Sequence, residues 1–272
     1  MSLESLSFPA LGSECHLFLV ARDPKPLAVG AEWVRGLHER LTRFEPDSEL
    51  STFNSTAGTW TKVSPVLESL LREALRAHQV SHGLVHAGTL HALLAAGYTR
   101  TFSEGPTKPA LRTQHLGPIP PLDDMLEVGH GHARVRAGYG IDLGGIAKGW
   151  IADRLAEKLG ENSLVNLGGD IYAHGEGEDG RGWPVGFGGT TIFLHDQGVA
   201  TSGSRSRRWG QSLHHLIDPR TGRPSKTDLE EVSVIAATGA DAEIYAKTAF
   251  LMGRGAAEYF LGEHCPGWWL YP

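Results

Sequence analysis

Lys148 stands in Gly144-Gly145-Ile146-Ala147-Lys148-Gly149-Trp150, where a Gly-Gly turn opens into a helical pattern with Ile146, Trp150, Ile151 and Leu155 on its apolar side. The first N–H groups of a helix lack intrahelical partners, and the helix dipole favours negative charge there. A lysine in that first turn adds a full positive charge, so the segment is a candidate phosphate site; the plain alternative is an ordinary strand-to-helix turn. Three other loops combine glycine with polar groups: NLGGD at 166–170, ATSGS at 200–204 and HHLIDPRTGRP at 214–224. Taken singly each reads as a turn, DPRTG especially, because proline presets one backbone angle and glycine supplies a left-handed position. Ser202, His215 and Asp170 supply the residue types of a serine hydrolase. No G-x-S-x-G elbow surrounds Ser202, however, and T-S-G lies in no strand-to-helix context.

Nucleotide fingerprints fail on inspection. GEGEDG at 175–180 has the glycine spacing of a dinucleotide loop, but three acids lie within it and Gly182-Trp183-Pro184 follows in place of a helix. GGIAKGW lacks the spacing of a P-loop and the Ser or Thr after its lysine. A formal net charge of −6 argues against a nucleic-acid surface. The one dense basic run, Arg205 to Arg208, reads as a solvated loop, with a role in holding phosphate as the alternative. No stretch approaches the roughly 18 apolar residues of a membrane span. The first residues lack the basic and apolar regions of a signal peptide, so a cytoplasmic setting is expected. Two cysteines, Cys15 and Cys265, make no disulfide framework and sit in no metal pattern.

The elements that must position these loops follow from periodicity and punctuation. HLFLV at 16–20 reads as a buried strand, and a helical pattern follows from Leu27 to Leu41. Ser64 and Pro65 supply an N-cap and a first-turn proline for an amphipathic helix ending near His82. Ser103 to Asp124, with five of the fifteen prolines, reads as a loop. IDL at 141–143 reads as a strand end, 146–159 and 241–252 as helices, and 164–167, 191–195, 214–218 and 232–237 as strands. The 35 glycines imply many tight turns, and the pattern favours one α+β domain over residues 1–272.

In order along the chain, FPALGSE, RFEPDSELSTFN at 43–54, IDLGGIAKGWIADR at 141–154, SLVNLGGDIYAHG at 163–175, GVATSGS at 198–204, HHLIDPRTGRP at 214–224 and AEIYAKTAFLMG at 242–253 form a recognisable series. In these stretches the chain resembles the FAD:protein FMN transferases, historically the ApbE-type thiamine biosynthesis lipoproteins. The resemblance implies a single ApbE-like α+β domain with mixed or antiparallel sheets, flanking helices and a cleft built from glycine-rich loops. It implies FAD contacts at Ser48, Asn54, Gly144, Gly145, Lys148, Asp170, Thr201 and Ser202, with His215 as the catalytic base. The implied reaction is attack of an acceptor protein's threonine hydroxyl on the FMN phosphorus of FAD, with AMP leaving. The alternatives are an FAD pyrophosphatase yielding FMN and AMP, and a flavin binder without catalysis.

Mg²⁺ is the implied counter-charge, held in the family by an Asp and a Thr four residues apart and by a carbonyl that corresponds here to Ala147. This chain departs from that pattern: Glu243 and Lys247 occupy the two side-chain positions. A protonated lysine cannot ligate a hard cation. One reading is a helical i,i+4 pair worth about 0.2–0.5 kcal/mol. The other places Lys247 at the diphosphate in place of the ion, fixed by Glu243. Asp241 and Thr248, seven residues apart, do not restore the usual pair. Ser204 and Arg205 also differ from the Asp and aromatic usual after ATSG, and His86-Ala87-Gly88 from a common Asp-Pro-Thr run.

Overall fold

In a computed structural model of the chain, residues 1–105, 117–187, 189–205, 207–209 and 213–272 are described. Much of the loop anticipated between Ser103 and Asp124, and part of the Arg205–Arg208 run, lie outside the described residues.

A hairpin of β1 (Ser2–Ala10) and β2 (Ser13–Ala21) begins the fold, with Phe8, Cys15, Leu17 and Leu19 buried at strand spacing. α1 (Lys25–Leu41) sets Leu27, Ala31, Val34 and Leu37 into the core at helical spacing. α2 (Glu49–Ser55) is capped by Ser48, whose Oγ accepts from the Ser51 N–H at 3.0 Å. After β3 (Thr61–Lys62) comes α3 (Pro65–Val80), where Ser64 caps the Leu67 N–H at 3.2 Å, as its Ser-Pro start predicts. α4 (Leu90–Ala95) follows, then β4 (Leu126–Val128) and β5 (His132–Val135), which form a small sheet with β3 in the order β3-β5-β4.

The second half carries α5 (Ala147–Leu159), β6 (Ser163–Leu167), β7 (Asp170–His174), the hairpin β8 (Trp183–Phe187) and β9 (Thr190–Leu194), and β10 (Gln197–Gly203). Two short ladders come next, β11 (Arg208–Trp209) with β12 (Leu213–His214) and β13 (Ile217–Asp218) with β14 (Arg223–Pro224). β15 (Glu231–Ala236), α6 (Gly239–Met252), α7 (Arg254–His264) and β16 (Gly267–Tyr271) follow.

The principal sheet has the order β1-β2-β6-β7-β10-β15-β16 and is antiparallel at every pairing. Its two faces bury different sets. Leu167, Val165 and Leu17 join α1 and α5, and Ala200, Val232 and Val234 join α6 and α7. On the reverse face Leu164, Ile171, Ala173 and Val199 pack with Trp183, Val185 and Leu194 of the β8–β9 hairpin. α6 is buried nearly all round, consistent with its run of Ala240, Ala242, Ile244, Ala246, Ala249 and Phe250. It crosses α5 at Gly149, where any Cβ would overlap the Gly239 carbonyl. Among the described residues, no helix is long and apolar enough to cross a membrane.

Two expected strands take other forms. Residues 214–218 break into β12 and β13 with His215 between them, so the histidine is freed from a ladder. Residues 141–143 join no sheet. Asn54 instead clamps Ile141, accepting from its N–H at 2.8 Å and donating to its carbonyl at 2.9 Å, while the Asp142 N–H donates to the Ala87 carbonyl at 2.8 Å. Side chain and loop thus do what a neighbouring strand would.

Candidate active site

A cleft open to solvent, enclosing a cavity of about 170 Å³, lies between the α5 N-terminus, the end of α6 and the segment around His215. Its ends differ in chemistry. Gly144, Gly145, Ala147, Lys148, Arg207, His215 and Lys247 line the polar end, whereas Phe44, Leu93, Tyr98 and Phe102 line the other.

Antiparallel pairing and a two-residue turn place the acid of the polar end. β6 and β7 join through Gly168 and Gly169, at φ of 69° and 99°, the positive angles of a tight hairpin that glycine adopts without strain. Asp170 therefore begins β7 on the α5 side of the sheet and pairs with Lys148. Asp170 and Glu243 outweigh the effect of burial and hold Lys148 above the ordinary lysine range, although burial is the largest single influence and acts downward. Glu243, from α6, accepts the Gly149 N–H at 2.9 Å and lies 3.7 Å from Lys247 Nζ. Burial, then Asp170, pushes its carboxyl up against the pull of the two lysines. Lys247 donates to the Gly145 carbonyl, and burial leaves its ammonium below the ordinary range despite Glu243 and Asp170.

The Gly-Gly turn is shaped from beneath by Asp142. One carboxylate oxygen accepts the Gly144 N–H at 3.0 Å and the other accepts Arg43 Nε at 2.5 Å. Arg43 is itself stacked over Phe44 and Tyr98, at 4.2 and 4.7 Å from the ring centroids, and donates to the Tyr98 carbonyl at 2.8 Å. The arginine thus ties the charged end to the aromatic end.

His215 occupies the break between β12 and β13, and its Nδ1 is buried without a hydrogen-bond partner. Burial, followed by the positive charge of Arg207 and Lys247, holds its pKa well below 6.5, so the imidazole is neutral at physiological pH. A neutral imidazole facing a cationic pocket can accept a proton as soon as an anion offsets the cations.

Of the residues singled out from the sequence, Gly144, Gly145, Ala147, Lys148, His215 and Lys247 line this cleft, with Asp170 and Glu243 bonded directly behind the lysines. Four others do not line it. Ser48 uses its hydroxyl to cap α2 and to donate to the Thr42 carbonyl at 2.5 Å. Both polar atoms of Asn54 hold Ile141. Side chains alternate along a strand, so Ser202 shares the α6 face with Ala200, and the Thr201 side chain points to the reverse face, where it meets Ser233 Oγ at 2.8 Å. Among the described residues no hydrogen bond joins Ser202, His215 and Asp170, and Asp170 is committed to Lys148, so the hydrolase triad is not assembled. Arg207 was legible only as part of a basic loop. Arg205 pairs with Glu230 and Arg208 donates to Ser204, whereas Arg207 lines the cleft within charge range of His215. Tyr98 and Phe102 carried no signal, because nothing near them in the sequence marks a site.

The donor set does not fit Mg²⁺. That ion needs near-octahedral oxygen ligation at about 2.0–2.1 Å. Here the Gly145 carbonyl and the Glu243 carboxylate already face the Lys247 ammonium, and Asp170 faces Lys148. Asp241 is paired with Arg76 at 2.7 Å, and the Thr248 hydroxyl donates to the Ile244 carbonyl at 2.7 Å. Among the described residues no three His, Cys, Asp or Glu side chains converge as ligands.

Comparison with known proteins agrees with this architecture. An FAD:protein FMN transferase of Haemophilus influenzae is 28% identical over 249 residues, covering 82% of this chain and 71% of its own. One from Treponema pallidum is 32% identical over 249 residues, covering 78% and 67%. The crystal structure of the ApbE protein from Thermotoga maritima superposes with a TM-score of 0.85 at 22% identity, covering 99% of this chain and 94% of that one. The flavin transferase ApbE from Vibrio cholerae gives 0.76 at 22% identity, with 96% and 90% covered. The ApbE family profile matches residues 11–268, and the chain belongs to the ApbE family.

Proposed function

We propose that this protein binds FAD in the cleft and transfers FMN to a threonine hydroxyl of an acceptor protein, releasing AMP. The observation that carries the reading is the neutral His215, its Nδ1 without a partner, beside Lys148, Arg207 and Lys247 at the polar end of the cleft. The diphosphate lies against those cations, and the flat flavin ring system suits the end lined by Phe44, Tyr98 and Phe102. His215 takes the threonine proton as the hydroxyl oxygen attacks the FMN phosphorus. The bond from that phosphorus to the bridging oxygen breaks, and the bridging oxygen leaves with AMP; the proton passes to solvent. Lys148, fixed by Asp170, and Arg207 counter the charge that builds on the phosphoryl oxygens.

Incubation with FAD, with and without a threonine-bearing acceptor, tests this by chromatography of AMP and intact mass of the acceptor. AMP release that requires the acceptor, with the acceptor heavier by one FMN residue, is the expected result. AMP released equally without acceptor identifies hydrolysis, and no AMP in either case identifies a binder.

A further inference from the structure

The pair at the floor of the cleft is not explained by stability. Lys247 and Glu243 side chains are 13% and 3% exposed. Burying such a pair costs desolvation that their attraction recovers only in part, so well-packed apolar residues commonly serve as well or better. α6 also carries Ala240, Ala242, Ile244, Ala246, Ala249 and Phe250 as buried residues, so apolar side chains are readily accommodated on this helix. The geometry around Nζ is specific. Lys247 lies across the Gly-Gly turn so closely that a Cβ on Gly145 would collide with Nζ. It donates to the Gly145 carbonyl, and Glu243 is held in turn by the Gly149 N–H. A carbonyl and a fixed carboxylate at a helix N-terminus are the oxygens a small cation would bind.

We infer that Lys247 Nζ is a tethered replacement for a divalent cation at the diphosphate end of the cleft, so that FAD binds without metal. A lysine supplies one positive charge where a divalent ion supplies two, and Lys148 and Arg207 beside it make up the remainder. The tether also makes the charge independent of ion concentration. This rests on the proposal that FAD places its diphosphate there, and the two claims separate by experiment.

The full-length protein, stripped with EDTA, is titrated with FAD by flavin fluorescence in EDTA and in millimolar Mg²⁺, and with Mn²⁺ alone by electron paramagnetic resonance. FAD affinity equal within twofold in the two buffers, and no stoichiometric Mn²⁺ site, are expected. Lys247→Gln keeps a donor for Gly145 but removes the charge, and Lys247→Met keeps only the length; each is expected to weaken FAD tenfold or more in EDTA, with circular dichroism confirming the fold. Mg²⁺ tightening FAD binding to the unmodified protein tenfold, a Mn²⁺ site lost in Glu243→Gln, or Lys247→Gln binding FAD like the parent would each overturn the inference. FAD binding under no condition sinks the flavin reading, while the Mn²⁺ titration still decides whether the lysine has displaced a metal.

Discussion

At the scale of single residues, His215 and the cations around it make opposing demands. In the proposed reaction Lys148, Arg207 and Lys247 attract the diphosphate, and the latter two act after burial to lower the histidine's pKa. A bound dianion reverses the second effect, raising the imidazole toward its ordinary range. kcat/KM reports the free enzyme and kcat the complex, so the acid limb of kcat should lie at higher pH than that of kcat/KM; the reverse order would contradict the assignment. Replacing His215 with Ala should lower AMP formation by about 10²–10⁴-fold while FAD affinity changes by less than a few-fold in equilibrium titration. Arg207→Ala should do the opposite, weakening FAD by about tenfold, or about 1.4 kcal/mol, with a smaller effect on turnover at saturation. That Lys148 and His215 line the cleft accords with expectations drawn from the glycine turn beside Lys148 and, for His215, from the family resemblance. The orientation of Thr201 was not, since one step along a strand exchanges the faces and only the paired strand settles which face is which.

At the scale of elements, the cleft floor depends on how closely α5 and α6 cross. Gly149→Ala would press a methyl group into the Gly239 backbone, a contact that no side-chain rotamer relieves. A loss of about 1–3 kcal/mol in urea denaturation is expected from such overpacking. The Asn54 clamp makes a comparable case. Asn54→Ala leaves two backbone groups of Ile141 without partners, at a cost of about 1–3 kcal/mol, so the ligand-free protein should melt at lower temperature; a residue that merely touched flavin would leave that melting point unchanged. Sequence pattern revealed α3 through Ser64 and Pro65, and α5 through its apolar stripe. It missed α2, a helix of seven residues too short to show periodicity. It also missed α7, where Gly255 and Gly262 dilute the helical signal and packing on α6 and β16 supplies the stability. The break at His215 went unread because HHLID has strand composition, and only the two separate ladders divide it.

At the scale of the whole molecule, several histidines are folded into the interior uncharged. Burial lowers His86 to about 4, and His78, His214 and His215 are also shifted down, each chiefly by burial. Below pH 6.5 the unfolded chain takes up protons that the folded chain refuses, so stability should fall as pH drops from 6.5 toward 4, by on the order of 3 kcal/mol for His86 alone. Asp153, raised by burial to about 6 while it accepts from Gly239 and Ala240, acts in the opposite sense over part of that window. Chemical denaturation at several pH values, beside NMR titration of the His86 ring, checks both the direction and the midpoint. The order of strands in the principal sheet has a further consequence. β2 must wait for β6, some 150 residues later in the chain, and the two borders of the sheet come from residues 2–10 and 267–271. Pairings so distant close large loops before they gain contacts, which makes folding slow. During synthesis the hairpin of β1 and β2 leaves the ribosome with one edge unsatisfied, and Lys148 emerges well before the helix that carries Lys247. A ribosome-bound chain therefore should capture no flavin until the last hundred residues have been made.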